Sequence, residues 1–427
     1  MERVKRKVDV KDLRVGMYVC DLDRPWLETP FLFQGFEIRS VSEVAELQRY
    51  CKQVYVLEGQ DPRNGGVAAR TTIPAAGAAV QRERNIRIEQ DLLKITNHPA
   101  ARSQYPELTT LEQEVEQVRE AYRSTRALLF QVMEDARLGR RLDAPGAKRA
   151  VGQLVESVIR NPDALTCFIQ LKKRHEYTAQ HSLRVCVLAL LLGRQLGFNA
   201  QQLNLLGLGA LLHDVGKMKV PVEILDKPRA LSAEEFEIMK SHVPEGVKIV
   251  ENTPGVPGES LEVVRGHHER IDGAGYAAGL RGEDIGIFGL IGAIADCYDA
   301  ITSDRVYHHA ISPHAALKKM YEWRGSAFHP PLVEQFIQCL GIYPVGSVVE
   351  LNTGEIGVVA ALNRVRRLKP RVVLIRRRDG TPYPLAPAVN LETRLTPEGR
   401  PCEIERVLEP EACGINPAIF LPVPALM

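Results

Sequence analysis

The sequence has almost no net charge: 55 Lys and Arg stand against 53 Asp and Glu, which leaves +2 over 427 residues. No global field therefore recruits nucleic acid or an anionic membrane, and any charge-driven binding has to be local. Long apolar runs are also missing. The longest, Val185 to Leu192, is far shorter than the ~20 residues of a membrane span, and no apolar stretch follows the basic N-terminal run MERVKRKVDV as it would in a secretory signal. The expectation is a soluble cytoplasmic protein. The eight cysteines contain no CxxC pair, which argues against a zinc finger or a disulfide scaffold and for reduced thiols.

What is present is ordinary for a folded chain: 45% apolar and 25% charged residues, in a length that at roughly 150 residues per domain predicts two or three domains. Residues 1–60 read as a small α+β module, with β-prone Val15 to Leu22 and Val54 to Leu57 flanking an aromatic stretch (Phe31 to Phe36) and a short helix near Ser42 to Tyr50. Residues 61–105 read as a flexible linker, opened by a Gly-, Ala- and Pro-rich stretch that cannot bury enough to order itself. Residues 106–150 form a helical connector, 151–344 a bundle of short helices, and 345–427 a β-rich appendage signalled by Val348 to Leu351, Ile356 to Leu362 and Val372 to Arg376. A capping box of Ser232 and Glu235 is expected to start the helix that carries His242.

Two patterns leave alternatives open. Leu111, Val115, Val118, Tyr122, Thr125, Leu129 and Val132 recur at heptad spacing, which suits either a helix packed along its own domain or a homodimer coiled coil through residues 106–137 that relays an input. The run Arg364 to Arg378 carries eight cations in fifteen residues. It could meet nucleic-acid phosphates, but the exposed face of a small sheet, protected by charge from edge pairing, is the preferred reading.

The histidines are the sharpest feature: ten of the eleven lie between His175 and His329. Within them His181, His213-Asp214, His242, His267-His268 and Asp296 follow one another at steps of 32, 28, 25 and 28 residues, each about one helix and its connection. In a helical bundle such spacing returns the chain to one level, so these imidazoles and carboxylates can converge on a metal pair. Adjacent pairs sit about 100° apart on a helix, so one member could serve each metal while a carboxylate bridges both. His175, His308, His309, His314 and His329 fall outside this register.

Five ordered segments then carry a resemblance: HSLRV (His181 to Val185), LLHDVGK (Leu211 to Lys217), ILDKPRALSAEE (Ile224 to Glu235), HHERIDGAGYAAGL (His267 to Leu280) and IADCYDAITSDRVY (Ile294 to Tyr307). Together they resemble the HD-GYP phosphodiesterases, and the N-terminal run from Val8 to Ser40 resembles the uncharacterised domain that often precedes them in bacteria. The resemblance implies an α+β multidomain chain around an all-α HD-type bundle. It also implies hydrolysis of the second messenger cyclic di-GMP to pGpG or GMP by a metal-bridging hydroxide.

Carried over residue by residue, the family's ligands are His181, His213, Asp214, His242, His267, His268 and Asp296. Asp214 would bridge. Where three-metal members have a carboxylate one turn before the first histidine, this chain has Tyr177, with Glu176 turned about 100° away, so two metals are expected. The resemblance favours iron or manganese, while the donor types also admit zinc or nickel. Lys217, on the face of Asp214, is expected to meet the scissile phosphate or the leaving oxygen; Arg305 would hold the other phosphate, with His308 where many members have a further basic residue. Tyr276 could stack on guanine or reach phosphate. The name motif reads Gly275-Tyr276-Ala277 in place of Gly-Tyr-Pro. With this departure turnover is expected to survive, while recognition of a diguanylate cyclase or another signalling protein through that loop would have to do without the proline. Competing readings are a cyclic di-GMP-binding or protein-interaction module with little turnover, and an enzyme for another nucleotide.

Overall fold

The computed structural model describes residues 5–22, 36–38, 41–57, 105–170, 177–227, 229, 231–304 and 310–421. They divide into two compact units, one drawn from the described residues between 5 and 57 and between 222 and 239, the other from those between 105 and 221, 240 and 304, and 310 and 421.

The N-terminal module contains β1 (Lys5–Asp9), β2 (Tyr18–Leu22), β3 (Phe36–Glu37), α1 (Val41–Tyr50) and β4 (Gln53–Leu57). The strands form one antiparallel sheet in the order β1-β4-β2-β3. Val8, Val19, Val54 and Val56 pack with Val44 and Leu47 of α1 into a small core. Strand β1 has no apolar alternation to announce it, because Lys5, Arg6 and Lys7 occupy an edge position where charge discourages pairing with another chain. The linker expected over 61–105 lies, up to residue 104, outside the described residues.

Thr110 begins α2 (Leu111–Arg137) with a capping box: its hydroxyl accepts the Gln113 N–H and the Gln113 side chain accepts the Thr110 N–H. All seven heptad positions are buried within the chain, against α3 (Ala144–Arg160), α4 (Pro162–Ile169), α5 (Tyr177–Gln195) and a 3-10 turn at Val215–Lys219. The heptad seam is therefore occupied by the chain's own helices, and a coiled-coil dimer through it is not what the pattern encodes. Glu114, fully buried on α2, accepts both Arg160 Nε and Nη2 at 2.9 Å and ties α2 to α3.

Helix α5 is the hub. From Leu183 to Leu192 every residue is buried, as expected of a helix packed on all sides, and its neighbours include α2, α3, α4 and α6 (Ala200–Leu212). After the 3-10 turn come α7 (Val222–Leu225) and α8 (Ala233–Lys240). Ser232 and Glu235 do form a capping box, but the helix it starts is α8. His242 opens a separate helix, α9 (His242–Glu251), so that part of the sequence reading is corrected. Helices α10 (Leu261–Gly266), α11 (Ile287–Ile301), α12 (Pro313–Glu322) and α13 (Pro330–Leu340) complete the bundle, with α11 buried along most of its length against α5 and α10.

The C-terminal sheet comprises β5 (Val348–Leu351), β6 (Ile356–Ala361), β7 (Arg371–Arg376), β8 (Ala388–Asn390) and β9 (Ile404–Leu408), antiparallel throughout in the order β8-β7-β6-β5-β9. A short α14 (Pro410–Cys413) follows. Strand β7 is interior, so its basic residues do not guard an edge. In the run as a whole, Arg364 pairs with Asp163 and Glu107, Arg366 with Glu392, Lys369 with Glu403, and Arg371 with Glu112. The first and last of these bind the sheet to the helices, while Arg377 and Arg378 stay exposed.

Because Leu129 is fully buried in the seam, Leu129→Ala should destabilise the chain by about 2–5 kcal/mol through the cavity it leaves. Thermal unfolding and light scattering on the same samples check this: a lower melting temperature at unchanged mass is expected, whereas conversion of a dimer to monomer at unchanged stability would restore the coiled-coil reading.

Candidate metal centre

Five helices and the turns that end them bring the candidate donors together. His181 lies in the first turns of α5, His213 caps the C-terminus of α6 with Asp214 directly after it, and His242 opens α9. His267 caps α10, His268 follows, and Asp296 sits in mid-α11. The two adjacent pairs are thus at helix ends and not on continuous helix as expected. The ends supply what the pairs need, since the last carbonyls of a helix have no backbone partner. His213 Nδ1–H donates to Ala210 O at 2.8 Å, and His267 Nδ1–H donates to Val264 O at 3.0 Å and Val263 O at 3.2 Å. Each bond sets the tautomer and leaves the Nε2 lone pair facing the cluster.

The donors form two groups, Asp214 with His242, His267 and His268, and His181 with His213 and Asp296, in each of which the donor atoms lie within 4.8 Å of one another. Both carboxylates face both groups. Asp214 Oδ2 is 3.6 Å from His181 Nε2 and 3.3 Å from His213 Nε2, while its Oδ1 is 3.6 Å from His242 Nε2 and 3.8 Å from His267 Nε2. Asp296 Oδ1 is 2.8 Å from His181 Nε2, and its Oδ2 is 3.6 Å from His268 Nδ1. Gly216 makes this approach feasible: a Cβ there would stand 1.9 Å from His242 O, so only glycine lets the turn after Asp214 abut the start of α9.

The electrostatics suit metal. Burial, with His213 alongside, pushes His267 down to about 3, and burial with His267 alongside holds His268 well below the usual imidazole range. Burial alone would raise the two carboxyls, but Lys217, His213 and His181 around Asp214, and His181 and His268 around Asp296, hold both well below the carboxylate range. For His213, burial pushes down while the Asp214 and Asp296 charges reverse this and raise it. Two buried donor atoms, His213 Nε2 and Asp214 Oδ1, have no hydrogen-bond partner. Ionised acids, lone pairs turned inward and orphaned buried donors are the state a divalent metal requires, so the residues fit the group.

Around this core, Lys217 Nζ donates to Asp214 Oδ2 at 2.5 Å from a partly exposed position. The Tyr276 ring stacks on His268 at 4.6 Å and 26°. Arg305 and His308 lie outside the described residues, as do Glu176 and the side chain of Tyr177.

Three contributors were missed in the sequence. Asp299 Oδ2 accepts His181 Nδ1–H at 2.7 Å and is itself gripped by Arg184, Nε to Oδ1 at 2.6 Å and Nη2 to Oδ2 at 2.9 Å. The signal was there, for Asp299 follows Asp296 by three residues and Arg184 follows His181 by three, so each shares a helical face with its donor. The third, Lys240, sits with its ammonium 5.7 Å from the Tyr276 ring centre.

Comparison with known proteins now decides the family. Residues 5–147 match the model of a domain of unknown function, DUF3391, and residues 165–332 match that of the HD domain. A cyclic di-GMP phosphodiesterase of Pseudomonas aeruginosa is 34% identical over 385 residues, covering 89% of this chain and 87% of that protein. The chain belongs to the HD-GYP phosphodiesterases. Another relative, a 3'3'-cGAMP-specific phosphodiesterase of Vibrio cholerae, is 34% identical over 169 residues, 39% of this chain and 32% of that one. Among solved structures, an HD-GYP-type protein from Bdellovibrio bacteriovorus aligns with a TM-score of 0.45 at 16% identity, covering 78% of this chain and 98% of that one. Among the described residues of this HD-GYP chain, no helix is long and apolar enough to cross a membrane.

Asp299 holds His181 from the side opposite the cluster. Asp299→Asn should weaken divalent-metal binding about 10–100-fold, the usual cost of losing such a partner. Metal titration followed by calorimetry checks this, and an unchanged affinity would show that His181 needs no such support.

Proposed function

We propose that the chain hydrolyses cyclic di-GMP to pGpG or GMP at a centre of two divalent metals, iron or manganese, in a cytoplasmic setting. The metals would be held by His181, His213, Asp214, His242, His267, His268 and Asp296, and Asp214 is the residue that would serve both. The observation that carries this reading is the pair of buried carboxylates, each of which turns one oxygen to each imidazole group. The whole-length relative named as a cyclic di-GMP phosphodiesterase supports the choice of substrate.

Hydrolysis of a phosphodiester joins a water oxygen to phosphorus, breaks the P–O3' bond and returns a proton to the leaving oxygen. When bound, divalent metals lower the pKa of water and neutralise charge growing on the phosphate. The chain's own residues do the rest. Asp214 and Asp296 hold negative charge in a buried pocket, and His267 and His268, whose burial disfavours the charged form, bring lone pairs without adding repulsion. Lys217 keeps an ammonium at the pocket's accessible side, within reach of a phosphate oxygen and able to protonate or stabilise the leaving oxygen. Tyr276, held flat against His268, offers a ring for guanine. Arg305 and His308 are assigned to the second phosphate on the resemblance of their segment alone.

Anaerobically purified protein loaded with iron or manganese should convert cyclic di-GMP to pGpG or GMP, lose activity on chelation and regain it on adding manganese. Asp214→Ala should abolish both metal loading and turnover, whereas Lys217→Ala should keep the metal and lower kcat by about 10²–10³-fold. A substrate panel that includes 3'3'-cGAMP separates the two substrate classes of the relatives. Fully loaded protein that leaves cyclic di-GMP intact would contradict the proposal.

A further inference from the structure

The loop that follows the histidine pair is anchored by a single acid. Glu269 is 2% exposed, and its Oε1 accepts the N–H groups of Ala278 at 2.7 Å and Gly279 at 3.1 Å while its Oε2 accepts that of Leu280 at 3.0 Å. These three residues close the loop that carries Tyr276. At the other end the Tyr276 N–H donates to His268 O at 3.1 Å, and Gly275 lies so close to the chain that a Cβ would stand 2.5 Å from Arg270 N and 2.6 Å from His268 O. The loop is thus folded back over His268 to Arg270 and pinned there at both ends.

A carboxylate can accept several N–H groups at once and makes stronger bonds to them than a neutral oxygen does. Glu269 belongs to neither donor group, and its oxygens are turned to the loop. Its effect on the site therefore runs through the loop. We propose that Glu269 is a positioning residue for the reaction: by gripping Ala278 to Leu280 it holds Tyr276 flat on His268 and fixes the wall against which the substrate rests. This inference rests on the phosphodiesterase reading above. It matters more here because Ala277 stands where the family has proline, so this stretch of backbone lacks a ring to stiffen it and relies on the acid.

The test is a double-mutant cycle on the metal-loaded full chain, with Glu269→Gln, Tyr276→Ala and both together. Bound metal and melting temperature are measured beside kcat and KM for cyclic di-GMP. Glutamine keeps the size but turns an NH2 group toward loop N–H groups. The expected result is unchanged metal content and a KM raised roughly tenfold, the size of one hydrogen bond to a charged group, with a smaller change in kcat. The double variant should be no worse than Tyr276→Ala alone. Effects that multiply, or a Glu269→Gln protein that loses its metal, would overturn the proposal. Amide hydrogen exchange on the unaltered chain reads the anchor without turnover: Ala278, Gly279 and Leu280 should be protected, and free exchange there would refute it. A chain that leaves cyclic di-GMP intact while those amides stay protected would defeat the substrate assignment and support the anchor.

Discussion

Two carboxylates, Asp214 and Asp296, are buried in one pocket of a helical interior, where an uncompensated charge costs several kcal/mol. Everything near them offsets that cost. Five imidazoles surround the pair, an ammonium from Lys217 reaches one of them, and the buried Arg184 guanidinium neutralises the further acid, Asp299, that holds His181 from behind. Polar groups of this density persist in a core only when each has a partner or a ligand. The donors left over, His213 Nε2 and Asp214 Oδ1, mark the place where protein partners run out.

The fold delivers these groups by two devices. Helix α5, apolar on every side, fixes His181 and Arg184 at its start as rigidly as the core itself. The other donors come mostly from helix ends, where unpaired carbonyls orient the imidazoles and where the chain can turn sharply enough to bring the next helix close. The Gly216 contact with α9 is one such turn, and the loop from His268 to Leu280 is another. Chemistry at the ends of elements and stability in their middles is a division that lets the reacting groups be placed by short-range bonds without disturbing the hub.

The sequence was legible where one signal dominated. Histidine and aspartate spacing singled out all seven side chains that the fold brings together, because each step spans one helix and its connection. Apolar periodicity anticipated the end of α2, though not its start at Leu111, and the first strands of the C-terminal sheet within a residue or two. It failed where tertiary context chose among equal local patterns. A heptad seam looks the same whether it faces a second chain or its own domain, and here α3, α4 and α5 cover it. Strand β1 hides behind two lysines and an arginine suited to an edge. The basic run left a phosphate surface open beside the preferred charged sheet face, and the acids that meet several of its cations, on α2, α4 and neighbouring loops, come from distant positions in the chain. Glu269 acts on a loop from behind, which only distances reveal, whereas Asp299 was marked by its three-residue offset from Asp296.

Anomalous diffraction from crystals of the manganese-loaded chain tests the central claim most directly, since it locates the cations without relying on activity. The account predicts two peaks, one bounded by His181, His213 and Asp296 and the other by His242, His267 and His268, with Asp214 between them. Peaks elsewhere, or a pocket that stays empty of manganese while the protein remains folded, would contradict it.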